Sequence, residues 1–207
     1  MTPDDAFDAV REENDTALSR LGSSKSLYAA TNGEMETEEV LRAAAGAEYA
    51  AAETFDAWAD DAEGVAREVY EETAAEEREH YEKVRAKLDS YEPGDASAMQ
   101  ASLRDLTDPV ERAGGYLGRL LATEKSKEQY VGYFVGQADP QTAELFRDLK
   151  RDLDGQRDRA RDLLDAVCES DDDYQRAVDA ASETIQTAYD EYTEQLESLG
   201  VNPKPVC

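Results

Sequence analysis

The stretch Glu71–Leu88, EETAAEEREHYEKVRAKL, decides how the rest of the chain is read. It carries the only histidine of the sequence, His80, three residues after Glu77. Side chains three apart on a helix share a face. That face also carries Thr73, Val84 and Leu88, the residues this segment is expected to bury. An acid and an imidazole turned into a core are costly to desolvate and need a partner. A metal ion is one such partner. In so acidic a segment the alternative is a chance Glu-x-x-His on a solvated face, so the flanking sequence has to decide.

On the N-terminal side, Thr37 is expected to cap a long helix running to about Ala62, with Gly64 as its stop. Its apolar stripe is Leu41, Ala44, Glu48, Ala51, Phe55, Trp58 and Ala62, and Glu48 interrupts it at the centre. The opening stretch itself belongs to a helix over about Val65–Asp89. Farther out, Thr2-Pro3-Asp4-Asp5 reads as a helix start, with proline at the first turn and acids suited to the dipole. Phe7, Val10, Asn14, Ala17 and Leu21 continue that helix to Gly22, and Ser23–Gly33 reads as a polar linker.

On the C-terminal side, Ser90–Thr107 is too long for a hairpin turn and suggests a crossover along a bundle, with one short helix over about Ala96–Leu106. Asp108-Pro109 starts the next long helix, to about Gln137, with the stripe Val110, Ala113, Leu117, Leu120, Glu124, Lys127, Val131 and Phe134. Asp139-Pro140 starts another, to about Cys168, with Phe146, Leu149, Leu153, Gln156, Ala160, Leu163 and Val167 inward. Asp171–Leu199 is a further amphipathic helix, and the tail Gly200–Cys207 is expected to be extended. No strand-like alternation of useful length occurs, so the fold is expected to be all-α. Four helices thus carry polar residues at mid-stripe: Glu48, Glu77 with His80, Glu124 with Lys127, and Gln156. A polar layer at one height of a four-helix bundle accounts for that placement better than scattered intrusions.

Composition bounds the partners. The chain has 207 residues and a formal charge of -27, from 49 acidic and 22 basic residues. Such a surface repels nucleic-acid phosphates and anionic membranes, so neither is an expected partner. Arginine outnumbers lysine 15 to 7. Together with the acidity and the small apolar residues, this suggests a halophilic protein, folded in salt that screens its self-repulsion. The N-terminus reads as no signal peptide, no run approaches a membrane span, and the two cysteines form no metal-binding or disulfide pattern. A cytoplasmic location is expected.

These residues resemble the rubrerythrin branch of the ferritin-like, di-iron carboxylate superfamily over about Glu39–Val167. AAAGAE ending at Glu48 looks like its first ligand helix, and EETAAEEREH ending at His80 like its second. LLATEKSKEQY, with Glu124 at the ligand position, looks like the third, and DPQTAELFRDLKRDLDGQRDRARDLL like the fourth. The resemblance implies a ferritin-like four-helix bundle with a long crossover between its second and third helices, holding two irons. It also implies peroxide reduction, oxygen chemistry or iron handling. The chain departs from the family where the fourth helix should carry Glu-x-x-His, for it reads Leu153-Asp154-Gly155-Gln156. Lys127 stands where a second acid is common, and the two cysteines exclude a four-cysteine rubredoxin module within this sequence.

Two readings of the layer follow. In one, Glu48, Glu77 and His80 hold a single divalent metal, iron first and manganese or zinc as alternatives, with Glu124 as a fourth ligand or acceptor behind the ligands. In the other, the bundle has lost metal and serves assembly or partner binding, with Lys127 paired to the acids and Gln156 donating hydrogen bonds. Asp152 and Asp154 are expected on a solvated face, Glu128 beside Lys125, and Tyr49, Tyr70, Tyr81, Tyr130 and Tyr133 at the core edge. Cys168 is expected buried and Cys207 exposed. Residues 1–33 form an N-terminal helix and linker, 34–168 the bundle, and 169–207 a terminal helix and tail. The terminal helices either cap the bundle or face a second subunit in a homodimer.

Overall fold

The computed structural model describes residues 1–203, so the expectations for Cys207 and the end of the tail lie outside the described residues. The described chain is all-α, without a strand. Its helices are α1 (Pro3–Glu13), α2 (Asp15–Leu21), α3 (Ser24–Ala30), α4 (Thr37–Asp60), α5 (Gly64–Arg85), α6 (Ala98–Asp105), α7 (Pro109–Gly136), α8 (Pro140–Val167) and α9 (Asp171–Ser198). None is long and apolar enough to cross a membrane.

The helix starts follow local chemistry. Thr2 and Asp5 close a capping box on α1, while Asp108 accepts from the Val110 and Glu111 amides and Asp139 from the Thr142 amide. Proline follows each of these caps, where its missing N–H costs nothing. Four local expectations are corrected. Glu36, not Thr37, occupies the cap position of α4, and Gly64 opens α5 with φ +58 rather than ending α4. The single N-terminal helix is broken at Asn14, whose side chain donates to Val10 O and Ser182 Oγ and accepts from Gln186. The linker contains α3, whose Leu27 and Ala29 are buried. A seven-residue helix is marginal alone, so tertiary packing on α7 and α9 holds it where propensity gave no signal.

α4 lies along α5, α5 along α8, and α7 along both α8 and α9, whereas α4 and α7 hardly meet. The terminal helices pack on the chain itself: α9 buries Tyr174, Val178, Ile185 and Leu196 against α7 and against α1, α2, α3 and α6. α7 and α9 approach closely through small residues. A methyl group added at Gly114 would sit 2.1 Å from Ala177 O, and one at Gly118 2.4 Å from Ala181 O. Gly118→Ala is therefore expected to destabilise the fold by about 1–3 kcal/mol, as overpacking does. Urea unfolding of the variant beside Gly132→Ala, where a methyl meets open space, checks this.

The apolar interior has two parts. One gathers Phe55, Trp58, Tyr70, Leu117, Leu153 and Leu163 with the faces of α1, α2 and α9. The other gathers Leu41, Ala44, Val84, Tyr130, Phe134, Phe146 and Leu149. In sequence, Glu48 falls between Ala44 and Phe55, His80 between Tyr70 and Val84, and Lys127 between Leu117 and Tyr130. The expected polar layer separates the two parts.

Candidate metal centre

Four long helices each deliver polar side chains to this layer. Glu48 from α4, Glu77 and His80 from α5, Arg119 and Lys127 from α7, and Gln156 from α8 are all 3% exposed or less. Groups so buried need partners close at hand, since leaving them unpaired is costly.

Each carboxylate is split between two duties. Glu48 Oε1 accepts from Lys127 Nζ at 2.7 Å, while its Oε2 lies 3.7 Å from His80 Nδ1. Glu77 Oε1 accepts from Arg119 Nη2 at 2.8 Å and from Gln156 Nε2 at 2.6 Å, while its Oε2 lies 3.6 Å from His80 Nδ1. Glu77 Oε2 and His80 Nδ1 are buried atoms with no hydrogen-bond partner. Three donor atoms on Glu48, Glu77 and His80 thus lie within 4.8 Å of one another and can hold a metal ion. Around a tetrahedral ion at about 2.1 Å, neighbouring ligand atoms stand about 3.4 Å apart. The separations from His80 Nδ1 are close to that.

Behind the imidazole, His80 Nε2 lies 3.0 Å from Asp152 Oδ2. A carboxylate on the far ring nitrogen is the arrangement that orients metal-ligating histidines and raises their basicity. Asp152 remains half exposed, as a solvated face requires, yet it reaches the cluster. The wall behind Glu77 is completed by Gln156, which also donates to Glu76 Oε1 at 2.7 Å and accepts from Arg119 Nη1 at 2.9 Å. Arg159 pairs with Glu76 at 2.8 Å.

The charges shape the ionisation. Burial alone would raise the Glu77 pKa, but Arg119, His80 and Lys127 outweigh it and hold the carboxyl well below the usual range. Burial would likewise lower the His80 pKa, but the Glu48 and Glu77 carboxylates outweigh it and raise it to about 10. Without a metal, then, His80 carries a proton on each nitrogen. Lys127, Arg119 and His80 then balance Glu48, Glu77 and Asp152 charge for charge.

Glu124, the expected fourth ligand, is not brought to the cluster. It pairs with Arg157 at 2.7 Å on the α7–α8 surface, about one-fifth exposed. The expected stripe of α7 is buried at Val110, Ala113, Leu117, Leu120, Lys127 and Phe134, whereas Glu124 and Val131 are only half-buried; Tyr116, Arg119 and Tyr130 beside the stripe are buried as well. Lys127 correspondingly pairs with Glu48 and not with Glu124. Arg119 is the residue that stripe reading missed. Its signal was its setting, as the one charge in the run Ala113–Thr123, AGGYLGRLLAT. Its guanidinium lies 5.3 Å from the Phe55 ring centroid, which gives its flat face an apolar seat.

Of the remaining residues, Tyr70 and Tyr130 are buried, whereas Tyr49, Tyr81 and Tyr133 are half-buried. Glu128 pairs with Lys150 at 2.8 Å and stands 4.0 Å from Lys125. Asp154 pairs with Arg157 on the surface. Cys168 is a buried free thiol whose pKa burial pushes up to about 11. Comparison with protein-family models, with curated proteins and with solved structures finds no match for this chain.

Proposed function

We propose that the chain is a ferritin-like, rubrerythrin-related bundle that holds one divalent metal ion between Glu48 Oε2, Glu77 Oε2 and His80 Nδ1. The observation that carries this reading is the pair of partnerless buried atoms, Glu77 Oε2 and His80 Nδ1, facing a third donor on Glu48. Leaving buried polar atoms unpaired is costly, and an ion satisfies all three at once. The carboxylate and imidazole donors suit iron, manganese or zinc. An ion held there supplies a Lewis-acid or redox centre, the basis for iron, oxygen or peroxide handling. Lys127 and Arg119 place fixed positive charge on the far oxygens of both glutamates. That charge opposes a second ion and favours a mononuclear site. Asp152 keeps His80 oriented.

The same two cations favour a second reading, a metal-free bundle for assembly or partner binding. With His80 protonated, the layer is electrically balanced and needs no ion. Metal content separates the two readings. After loading with iron, manganese or zinc and desalting, elemental analysis is expected to find near one ion per chain. His80→Ala is expected to lose it, and Glu124→Ala to keep it, since Glu124 is committed to Arg157. A wild-type chain that retains no metal leaves the balanced, metal-free core as the reading.

A further inference from the structure

The gap left where α4 and α7 fail to meet is bridged by α3 and α6 and covered by α9. It leaves a half-open cavity of about 470 Å³. That volume lies in the range of small-molecule sites. Small residues make the room: Ala29, Ala43, Ala47, Ala50 and Ala122 all line it. Its buried end is formed by Glu48, Arg119, Lys127 and Tyr130, on the side of the polar layer away from His80's partner Asp152.

The hydrogen-bonding capacity of this end is unequal. One Glu48 oxygen accepts from Lys127, and the other faces His80 Nδ1 at 3.7 Å. The donors are not used up. Lys127 has three N–H groups, of which Glu48 Oε1 takes one. Arg119 Nε is buried without a partner, and so is the hydroxyl of Tyr192, which also lines the cavity. Burial, with the nearby Glu48 charge, holds the Tyr130 hydroxyl protonated well above its ordinary range, so it too remains a donor. A space lined partly by alanines and partly by polar residues such as Gln100 and Gln195, and ending in surplus donors, suits an occupant with acceptors at one end and a short hydrocarbon body behind it.

We propose that this cavity binds a small organic carboxylate, its head on Lys127, Arg119 and Tyr130 and its apolar body along the alanine walls. The site goes beyond the metal reading and does not depend on it, because the donors used, on Lys127, Arg119 and Tyr130, are not the proposed metal ligands.

The test is calorimetric titration of chelator-treated protein with octanoate, beside octan-1-ol as a neutral probe of the same length. Octanoate is expected to bind one per chain below 1 mM as an order of magnitude, and the alcohol at least about tenfold more weakly, the loss of one charge-assisted contact. Ser126→Phe should abolish binding. Ser126 lines the cavity, is half-buried, and bonds only its own helix at Ala122 O. Ala47→Phe, at an exposed lining position, serves if Ser126→Phe does not fold. No binding of octanoate, equal binding of the alcohol, or binding that survives the filling substitution would each overturn the proposal. Metal content of wild type and variant is read separately, so a chain that binds octanoate but no metal, or the reverse, assigns the failure to one reading alone.

Discussion

Lys127→Met is expected to lower the stability of the metal-free protein by roughly 3–5 kcal/mol, the cost of leaving a buried charge without its partner. Glu48 is 3% exposed, and Lys127 is the only cation within 2.7 Å of it among the described residues. Methionine keeps the bulk of the lysine stem, so the loss reports charge rather than a cavity. The double variant Lys127→Met/Glu48→Leu is the decisive companion. It removes both members of the pair and leaves Arg119 and His80 to balance Glu77 and Asp152, so most of the lost stability should return. Urea unfolding at fixed high salt measures all three proteins. A double variant no more stable than the single one would mean that Glu48 and Lys127 are not coupled as their 2.7 Å contact implies.

The second large effect is on pH dependence and concerns His80. Its pKa stands at about 10 in the fold, against 6.5 as the ordinary value, so the native state holds the proton more tightly than the unfolded chain. That contribution is fully present below pH 6.5 and is lost as pH rises through about 10, a swing of roughly 4–5 kcal/mol. The groups facing the imidazole are Glu48, Glu77 and Asp152, with Lys127 opposing. The expected result is a wild-type stability that declines from pH 7 to 10 in chelator. His80→Gln, which has no such group, should lack that part of the slope. In metal-loaded protein the imidazole must be neutral to coordinate, so the same decline should be absent. Glu77 contributes in the opposite direction: its carboxyl is held well below 4.5, so its stabilisation is present above that value and fades in acid. A wild type and His80→Gln with parallel profiles would sink the assignment of a charged His80.

Much of this was legible in the sequence because the polar residues interrupt strongly periodic stripes. Glu48, Glu77 and His80 each sit on apolar stripes near the middles of their helices, and the structure brings their donor atoms together. The long helices follow from their 3.6-residue periodicity, with Asp-Pro starts marking α7 and α8, and their ends moved by only a few residues. What was not legible depended on rotation and on tertiary contact. The first half of α7, packed on α8 and α9, buries nearly its whole circumference, so Arg119 is inside together with the expected Leu117 and Leu120, whereas Glu124 is held at the surface by Arg157. Asp152 is an exposed-face residue by spacing, and only the approach of α5 and α8 brings its carboxylate to His80. The break at Asn14 and the helix α3 likewise rest on partners in α9, more than 150 residues away in the chain.

Arg119 and Lys127 stand two turns apart on α7, about 12 Å along its axis, yet both end on the acids of a single layer. The two side chains grip that layer from opposite directions, like the jaws of a caliper. If α7 slides by one turn toward either end, one jaw is overextended and the other collides, and a buried glutamate loses its cation in both cases. The helix therefore has a mechanical stop in each axial direction, built from side chains and not from loop length. Insertions in the segment before α7 should change that loop without changing where α7 comes to rest, a form of error tolerance that a uniformly greasy core would not provide.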